Sequence, residues 1–174
     1  MRKILLHTCC GPCATSSIET LLNNDIRPTL FFDNPNIAPN DERELRRENL
    51  HTVAKHYGVD VIDGFTLHSE FLNRVSGLED CKEGGDRCLK CFLLNAELTE
   101  KASKEHGFDS FCTTLTVSRF KNTARVWGEF SKLDGFEKID FKKNAGFERS
   151  CKLSKELGLY SQHYCGCEFS MGNS

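Results

Sequence analysis

The stretch Lys3-Ile4-Leu5-Leu6-His7-Thr8-Cys9-Cys10-Gly11-Pro12-Cys13 decides the fold class. An apolar run stopped by a Gly-Pro pair predicts a short buried strand over Lys3 to Thr8. The cysteine turn Cys9 to Cys13 then feeds a helix from about Ala14 to Asn23. A strand, a tight turn and a helix at the start of a chain form the first half of a βαβ unit.

Working outward, Arg27 to Phe32 is the second strand and Asn34 to Asn40 a loop. Asp41 is the expected cap of a charged helix reaching Tyr57, and Val59 to Ile62 is the third strand. A helix over Leu67 to Val75, the loop Glu83 to Arg87 and a long helix from Cys88 to His106 follow. Phe111 to Leu115 is the fourth strand; a helix over Thr123 to Leu133, a strand over Lys138 to Phe141 and a helix over Glu148 to Leu157 complete the pattern. Alternation of this kind implies an α/β fold with a doubly wound, mostly parallel, Rossmann-like sheet. In such sheets the working site lies beyond the C-terminal ends of the strands, where the cysteine turn sits.

The 174 residues, 39% of them hydrophobic, suit one domain spanning 1–174 with a real core. Lysine and arginine total 23 against 25 acidic residues, so the net charge of −2 supplies no global attraction for a polyanion, and any nucleic-acid contact must use local patches. The apolar run at the N-terminus is too short for a signal-peptide core, and no stretch approaches membrane-spanning length. The protein is therefore expected to be cytoplasmic, with no membrane partner. There its ten cysteines stay reduced and point to metal or redox work rather than to structural disulfides.

Cys10-Gly11-Pro12-Cys13 matches the active-site tetrad of thioredoxin-like dithiol oxidoreductases, but the adjacent Cys9 and two more cysteine pairs exceed what a dithiol exchanger needs. Cys88 and Cys91 stand at i and i+3 near the start of a helix, so both thiols share a face. Cys165-Gly166-Cys167 puts two more in one bend. Cys9, Cys10, Cys13, Cys88, Cys91, Cys165 and Cys167 make seven clustered thiols. Structural zinc takes at most four and so does a cubane cluster, so surplus ligands suggest chemistry. A zinc-stabilised nucleic-acid-binding module remains the bland alternative. Cys112 and Cys151 are expected to be small buried hydrophobes, Cys81 is ambiguous, and His7 is expected to be a packed core histidine.

Five segments carry a resemblance: Leu5 to Cys13, Asn34-Pro35-Asn36-Ile37, Glu83-Gly84-Gly85-Asp86-Arg87-Cys88-Leu89-Lys90-Cys91, Asp140-Phe141-Lys142-Lys143, and Tyr160-Ser161-Gln162-His163-Tyr164-Cys165-Gly166-Cys167. Together they resemble the QueH-type epoxyqueuosine reductases. The resemblance implies a fold of the PP-loop, or HUP, type with cysteines where those enzymes carry a phosphate-binding turn, so ATP binding is not expected. It also implies reduction of the epoxide of epoxyqueuosine, at the wobble position of tRNA, to an alkene with loss of water. The family works without cobalamin and holds an iron–sulfur centre. One departure is Ser118-Arg119-Phe120-Lys121, where the family commonly has proline after the serine.

On this reading four thiols hold a [4Fe–4S] cluster, Cys10, Cys88 and Cys91 among them, and the others help bind an additional iron ion that polarises the epoxide oxygen. An external one-electron donor supplies the reducing equivalents. Asp33, Asp86 and Asp140 are candidate carboxylates for the second iron or for proton supply, and Tyr164 is a candidate proton donor. For the tRNA, Lys121, Lys142 and Lys143 are candidate phosphate contacts, with Arg46 and Arg47 weaker ones, and Phe141 and Tyr160 are candidate stacking surfaces.

Overall fold

The computed structural model describes residues 1–173, with side chains to residue 171. Ser174, the last residue of the expected domain, lies outside the described residues. The first strand, β1 (Arg2–His7), has its exposed residues only at the start and is buried from Ile4 to His7. It can be buried on both faces because it is paired on both edges. β2 (Ile26–Phe32) lies parallel on one side and β4 (Phe111–Thr113) parallel on the other, with Leu5 level with Thr29 and Phe111. β3 (Val61–Asp63) adds to β2, giving the all-parallel order β3-β2-β1-β4.

Alternation along β1 divides the core. Ile4 and Leu6 pack with Ala14, Ile18 and Leu21 of α1 (Gly11–Asn23) and with Leu50 and Val53 of α2 (Asn40–Tyr57). Leu5 points the other way, into Phe92 and Ala96 of α4 (Asp86–Glu105) and Val126 and Phe130 of α5 (Thr123–Phe130). A short α3 (His68–Arg74) precedes α4, and α6 (Gly146–Glu156) packs along α1. Helices on both faces of a parallel sheet explain why β1 reads as one apolar run rather than an alternating one. The chain builds β1, β2 and β3 in one direction and then places β4 on the far side of β1, so the strand order reverses between β1 and β4. That switch point is where such sheets form their sites.

Several expected boundaries move. Pro39, not Asp41, occupies the position before α2, and Asp41 lies in its first turn. The third strand begins at Val61, and the fourth ends at Thr113, where the chain tightens into a 3-10 turn over Thr114–Val117. α5 ends at Phe130 rather than Leu133, and α4 begins two residues before Cys88. The strand expected over Lys138 to Phe141 does not form. The sheet is extended there only by an isolated parallel bridge from Phe111 to Phe136. The hydroxyl of Thr116 takes the place of a neighbouring strand, donating to the Ile139 carbonyl at 3.2 Å and accepting from the Phe141 N–H at 3.2 Å. Among the described residues no helix is long and apolar enough to cross a membrane.

Candidate metal centre

Just past β1, Pro12 opens α1 and sets Cys9, Cys10 and Cys13 on a turn and the first helical residues. Their three sulfurs all lie within 4.8 Å of one another, with Cys9 Sγ 3.8 Å from Cys10 Sγ and 3.7 Å from the Thr114 hydroxyl after β4. Thiolates bound to one tetrahedral ion at about 2.3 Å stand roughly 3.8 Å apart, so the spacing is that of ligands to a single metal. The three do not ionise alike. Thiol hydrogen bonds from Cys10 and Cys13 hold Cys9 well below the usual thiol range, against the cost of its burial. Cys10 receives some relief from Cys13 but is pushed up to about 12 by its bond to Cys9, by burial and by the Cys9 charge. Cys13 is pushed well up by its bonds to Cys10 and Cys9 and by burial.

The other four clustered thiols share a cavity. Cys88 and Cys91, on the first turns of α4, and Cys165 and Cys167, from the C-terminal bend, line one cavity of about 150 Å³. The Gly84 N–H donates to Cys88 Sγ at 3.1 Å. Burial and then the neighbouring Cys165, Cys167 and Cys88 push the Cys91 thiol well up. Lys121, half-buried in the same wall, faces both groups. Cys165 first, with Cys9, Cys13 and Cys10 after the opposing cost of burial, raises the pKa of the Lys121 ammonium. Cys9, Cys10 and Cys13 thus form one compact triad, and Cys88, Cys91, Cys165 and Cys167 a quartet around one cavity. A larger depression, about 640 Å³, lies among Arg2, Lys3, Arg27, Asp60 and Asp109 at the opposite edge of the sheet and has no thiol in its wall.

Arg46 ties the C-terminal bend to α2. Only 1% exposed, it donates from Nη1 to the Cys165 carbonyl and from Nη2 to the Tyr164 carbonyl, both at 2.9 Å, while Nε pairs with Glu42 one helical turn earlier. Its guanidinium also lies 5.2 Å from the Tyr164 ring centroid. Gly166, at φ +139°, donates nothing to the site but its carbonyl accepts from the Ala38 N–H at 2.9 Å. A Cβ there would come within 3.0 Å of Ile37 and 3.2 Å of Arg46 Nη1, so the residue between the two cysteines is glycine for both backbone and space. The loop Asn34 to Ile37 is pinned from β1: the buried His7 contacts Asn34 Oδ1 at 3.1 Å and the Thr113 hydroxyl at 2.9 Å, as a core histidine does.

The remaining expected site residues are placed as follows. Asp33 is buried and fully engaged, with Oδ1 accepting from Arg43 Nη2 and the Thr66 N–H and Oδ2 from the Thr66 hydroxyl. Asp86 is exposed in the first turn of α4. Asp140 Oδ1 accepts from the Lys142 N–H at 2.9 Å. Tyr164 donates its hydroxyl to the Ala38 carbonyl at 2.6 Å, and Tyr160 donates to both oxygens of Glu42. Lys142 Nζ donates to the Lys121 carbonyl and to the Thr123 hydroxyl, and Lys143 is exposed. Arg47 pairs with Asp63 and Glu44. Cys112 is fully buried as expected, whereas Cys151 is exposed on α6, and Cys81 lies in neither thiol group. Phe141 corrects the sequence reading most sharply: it is 2% exposed within the core beside α1 and α2 and has no face for a base. Replacing it with alanine is expected to cost about 3–5 kcal/mol, a fall in Tm of about 6–20 °C, without weakening RNA binding. A thermal melt with a parallel binding titration checks this, and a stable variant that no longer binds RNA would restore the stacking role.

Sequence reasoning missed Arg87. It is 1% exposed, its Nη1 donates to the carbonyls of Glu79 and Cys81, and its guanidinium lies 5.2 Å from the Phe169 ring centroid. Its Nε and Nη2 have no hydrogen-bond partner among the described residues, no carboxylate pairs with it, and it lines the thiol cavity. A buried, uncompensated cation with two free donors beside four thiols asks for negative charge in that cavity. Four thiolates around a metal group would supply it, and a bound cation would offset the burial and the neighbouring thiols that push Cys91 up. Four thiols around one cavity match the ligand number of a cubane cluster. The quartet thus fits a polynuclear metal group, and the triad fits one ion with a coordination position left over.

Comparison with known proteins gives consistent matches. The family model described as Epoxyqueuosine reductase QueH matches residues 4–173. The Haemophilus influenzae protein named "Epoxyqueuosine reductase QueH" is 34% identical over 178 residues, covering 99% of this chain and 73% of its own. A Thermotoga maritima protein of the same name is 34% identical over 179 residues, covering 98% and 91%. Among solved structures, the U34-tRNA thiolase NcsA from Methanococcus maripaludis, described with its [4Fe-4S] cluster, superposes with a TM-score of 0.58 at 14% identity over 97% of this chain and 61% of its own. A predicted subunit of a tRNA methyltransferase from Methanocaldococcus jannaschii gives 0.59 at 12% identity over 90% and 75%. These two likenesses concern the fold.

Proposed function

Because the chain belongs to the epoxyqueuosine reductase QueH family, we infer that its two cysteine groups serve reduction of the epoxide of epoxyqueuosine in tRNA, without cobalamin. The protein is an epoxyqueuosine reductase, an oxidoreductase of tRNA modification. The observation that carries the site assignment is the meeting of a thiol quartet, a thiol triad and two cations, Lys121 and Arg87, at the edge of the sheet where β1 and β4 end. Cys88, Cys91, Cys165 and Cys167 would hold a [4Fe–4S] cluster, and Cys9, Cys10 and Cys13 an additional iron ion. Bound there, these groups supply two electrons from an external one-electron donor and a Lewis acid for the epoxide oxygen.

The chain's own residues do the rest. Arg87 offers two N–H donors to the anionic thiol site and lowers the cost of gathering its charge. Lys121 keeps a positive charge between triad and quartet. Phe71 and Phe92 in the cavity wall keep water from the site. Proton supply is assigned to Asp140, because Asp33 has both carboxylate oxygens engaged and the Tyr164 hydroxyl donates to Ala38, whereas Asp140 has, among the described residues, only Oδ1 held, by the Lys142 N–H.

The alternatives fit less well. A dithiol exchanger needs a depressed pKa at the first cysteine of its CxxC, and Cys10 is pushed to about 12. A closed structural zinc on the four cavity thiols would leave Cys9, Cys10 and Cys13, whose sulfurs lie within 4.8 Å of one another, without a role. Anaerobically purified protein is expected to contain iron and acid-labile sulfide. With a strong one-electron reductant it should convert tRNA carrying epoxyqueuosine to a nucleoside lighter by one oxygen, read by mass analysis. Unchanged nucleoside mass would sink the reductase reading, and colourless protein holding one zinc and no sulfide would sink the cluster.

A further inference from the structure

Phe120 is 81% exposed, the most exposed large hydrophobic side chain among the described residues, and it stands in the wall of the thiol cavity. An aromatic ring left in water at the mouth of a reactive site calls for an occupant. The ring is held from behind. The Arg119 guanidinium lies 5.1 Å from its centroid and 4.9 Å from that of Phe147, and Phe147 is partly buried against the core of the α1 side. Phe147, Arg119 and Phe120 therefore form three flat tiers rising from the core to the cavity mouth, and the last tier ends in an open face.

The loop beneath is fixed. The Phe120 N–H donates to the Ser118 hydroxyl at 3.2 Å, the Lys121 carbonyl accepts from Lys142 Nζ, and Asn122 Oδ1 caps α5 through the Arg125 N–H at 3.1 Å. One turn on, Arg125 lines the same mouth, exposed, and its guanidinium has no partner among the described residues.

An open aromatic face continued by unpaired guanidinium groups is the chemistry that receives an unstacked base and its phosphate. A protein partner would need a broader apolar patch than one ring. We propose that the outer face of Phe120 stacks on a base of the single-stranded anticodon loop presented to the thiol cavity, with Arg125 meeting an adjacent phosphate. The proposal rests on the reductase reading, which supplies the RNA.

The test uses the iron-loaded full chain and a synthetic anticodon stem–loop with epoxyqueuosine at the wobble position, titrated by fluorescence anisotropy at fixed salt. Phe120→Ala is expected to raise Kd and KM by about 5–150-fold with iron content at the parent level, and Phe120→Trp to restore both. Arg125→Ala should flatten the dependence of binding on salt concentration by about one phosphate contact. Binding by Phe120→Ala within twofold of the parent, while the parent converts the RNA, overturns the platform and leaves the reductase reading intact. Slower turnover at unchanged RNA affinity also overturns it, since the ring would then serve the electron donor. A parent that neither binds nor converts the RNA removes the reductase reading and the platform together.

Discussion

Cys88→Ala is expected to yield protein without the iron–sulfur absorbance of the parent and without epoxide reduction. Cys88 stands on the first turn of α4, with its sulfur accepting the Gly84 N–H and facing the cavity shared with Cys91, Cys165 and Cys167. Alanine leaves three thiols where a cubane takes four. Disturbing groups outside the ligand shell of a metal already costs about 10–100-fold in affinity or activity, and loss of a ligand exceeds that. Because the thiol is half-buried and not part of a packed apolar cluster centre, the variant should fold, and circular dichroism should match the parent. Cys151→Ala is the control: that thiol is exposed on α6, and its removal should change stability by no more than about 0.5 kcal/mol and leave the iron in place. Full iron and turnover in Cys88→Ala would take Cys88 out of the ligand set.

Arg46→Met is expected to destabilise the chain by about 3–5 kcal/mol and to strip iron from the quartet, though the residue touches no thiol. Methionine matches much of the stem but offers no donor. The carbonyls of Tyr164 and Cys165 lose their partners, and Glu42, 11% exposed at its side chain, keeps its charge with only the Tyr160 hydroxyl to answer it. The bend then rests on its Ala38 contacts, through the Gly166 carbonyl and the Tyr164 hydroxyl, and on the His68–Glu168 pair beyond it. The cost corresponds to a fall in Tm of about 6–20 °C for a chain of this size. Arg46→Lys should recover the charge but not the fork that reaches two carbonyls, and so lie between the two. Sulfide content read beside the melt decides the matter: a variant with the parent's Tm and sulfide would show that the bend is held by other contacts.

The first βαβ unit was legible because its signals are local: an apolar run, a Gly-Pro turn and helical periodicity within Lys3 to Asn23. The stretch Lys138 to Phe141 alternates charged and apolar residues as a strand does, without becoming one. Its backbone groups are answered by the Thr116 side chain rather than by a strand, and no pattern within the stretch records that distant hydroxyl. The seven clustered thiols were legible as a set, but their division was not, because it depends on how the C-terminal bend returns. Arg46 decides that return, and in sequence it is one charge among many on a mixed helix. Aromatic residues misled for a related reason. Phe141 and Phe120 look equivalent in sequence, yet one fills the core and the other stands in water. That Lys121 lines the wall of the thiol cavity was not legible either, since only the fold brings the loop after β4 against the cysteines.

The two thiol groups also differ in how far apart along the chain their members lie. Cys9, Cys10 and Cys13 belong to one turn, so the triad is complete once β1 and α1 have formed. The quartet joins Cys88 and Cys91 to Cys165 and Cys167 and pays the entropy of closing the long loop between them. On a ribosome, where N-terminal structure forms first, the three triad thiols stand in one turn while the quartet still lacks half its members. A chain interrupted before the final bend would carry Cys9, Cys10 and Cys13 together, but Cys88 and Cys91 without Cys165 and Cys167.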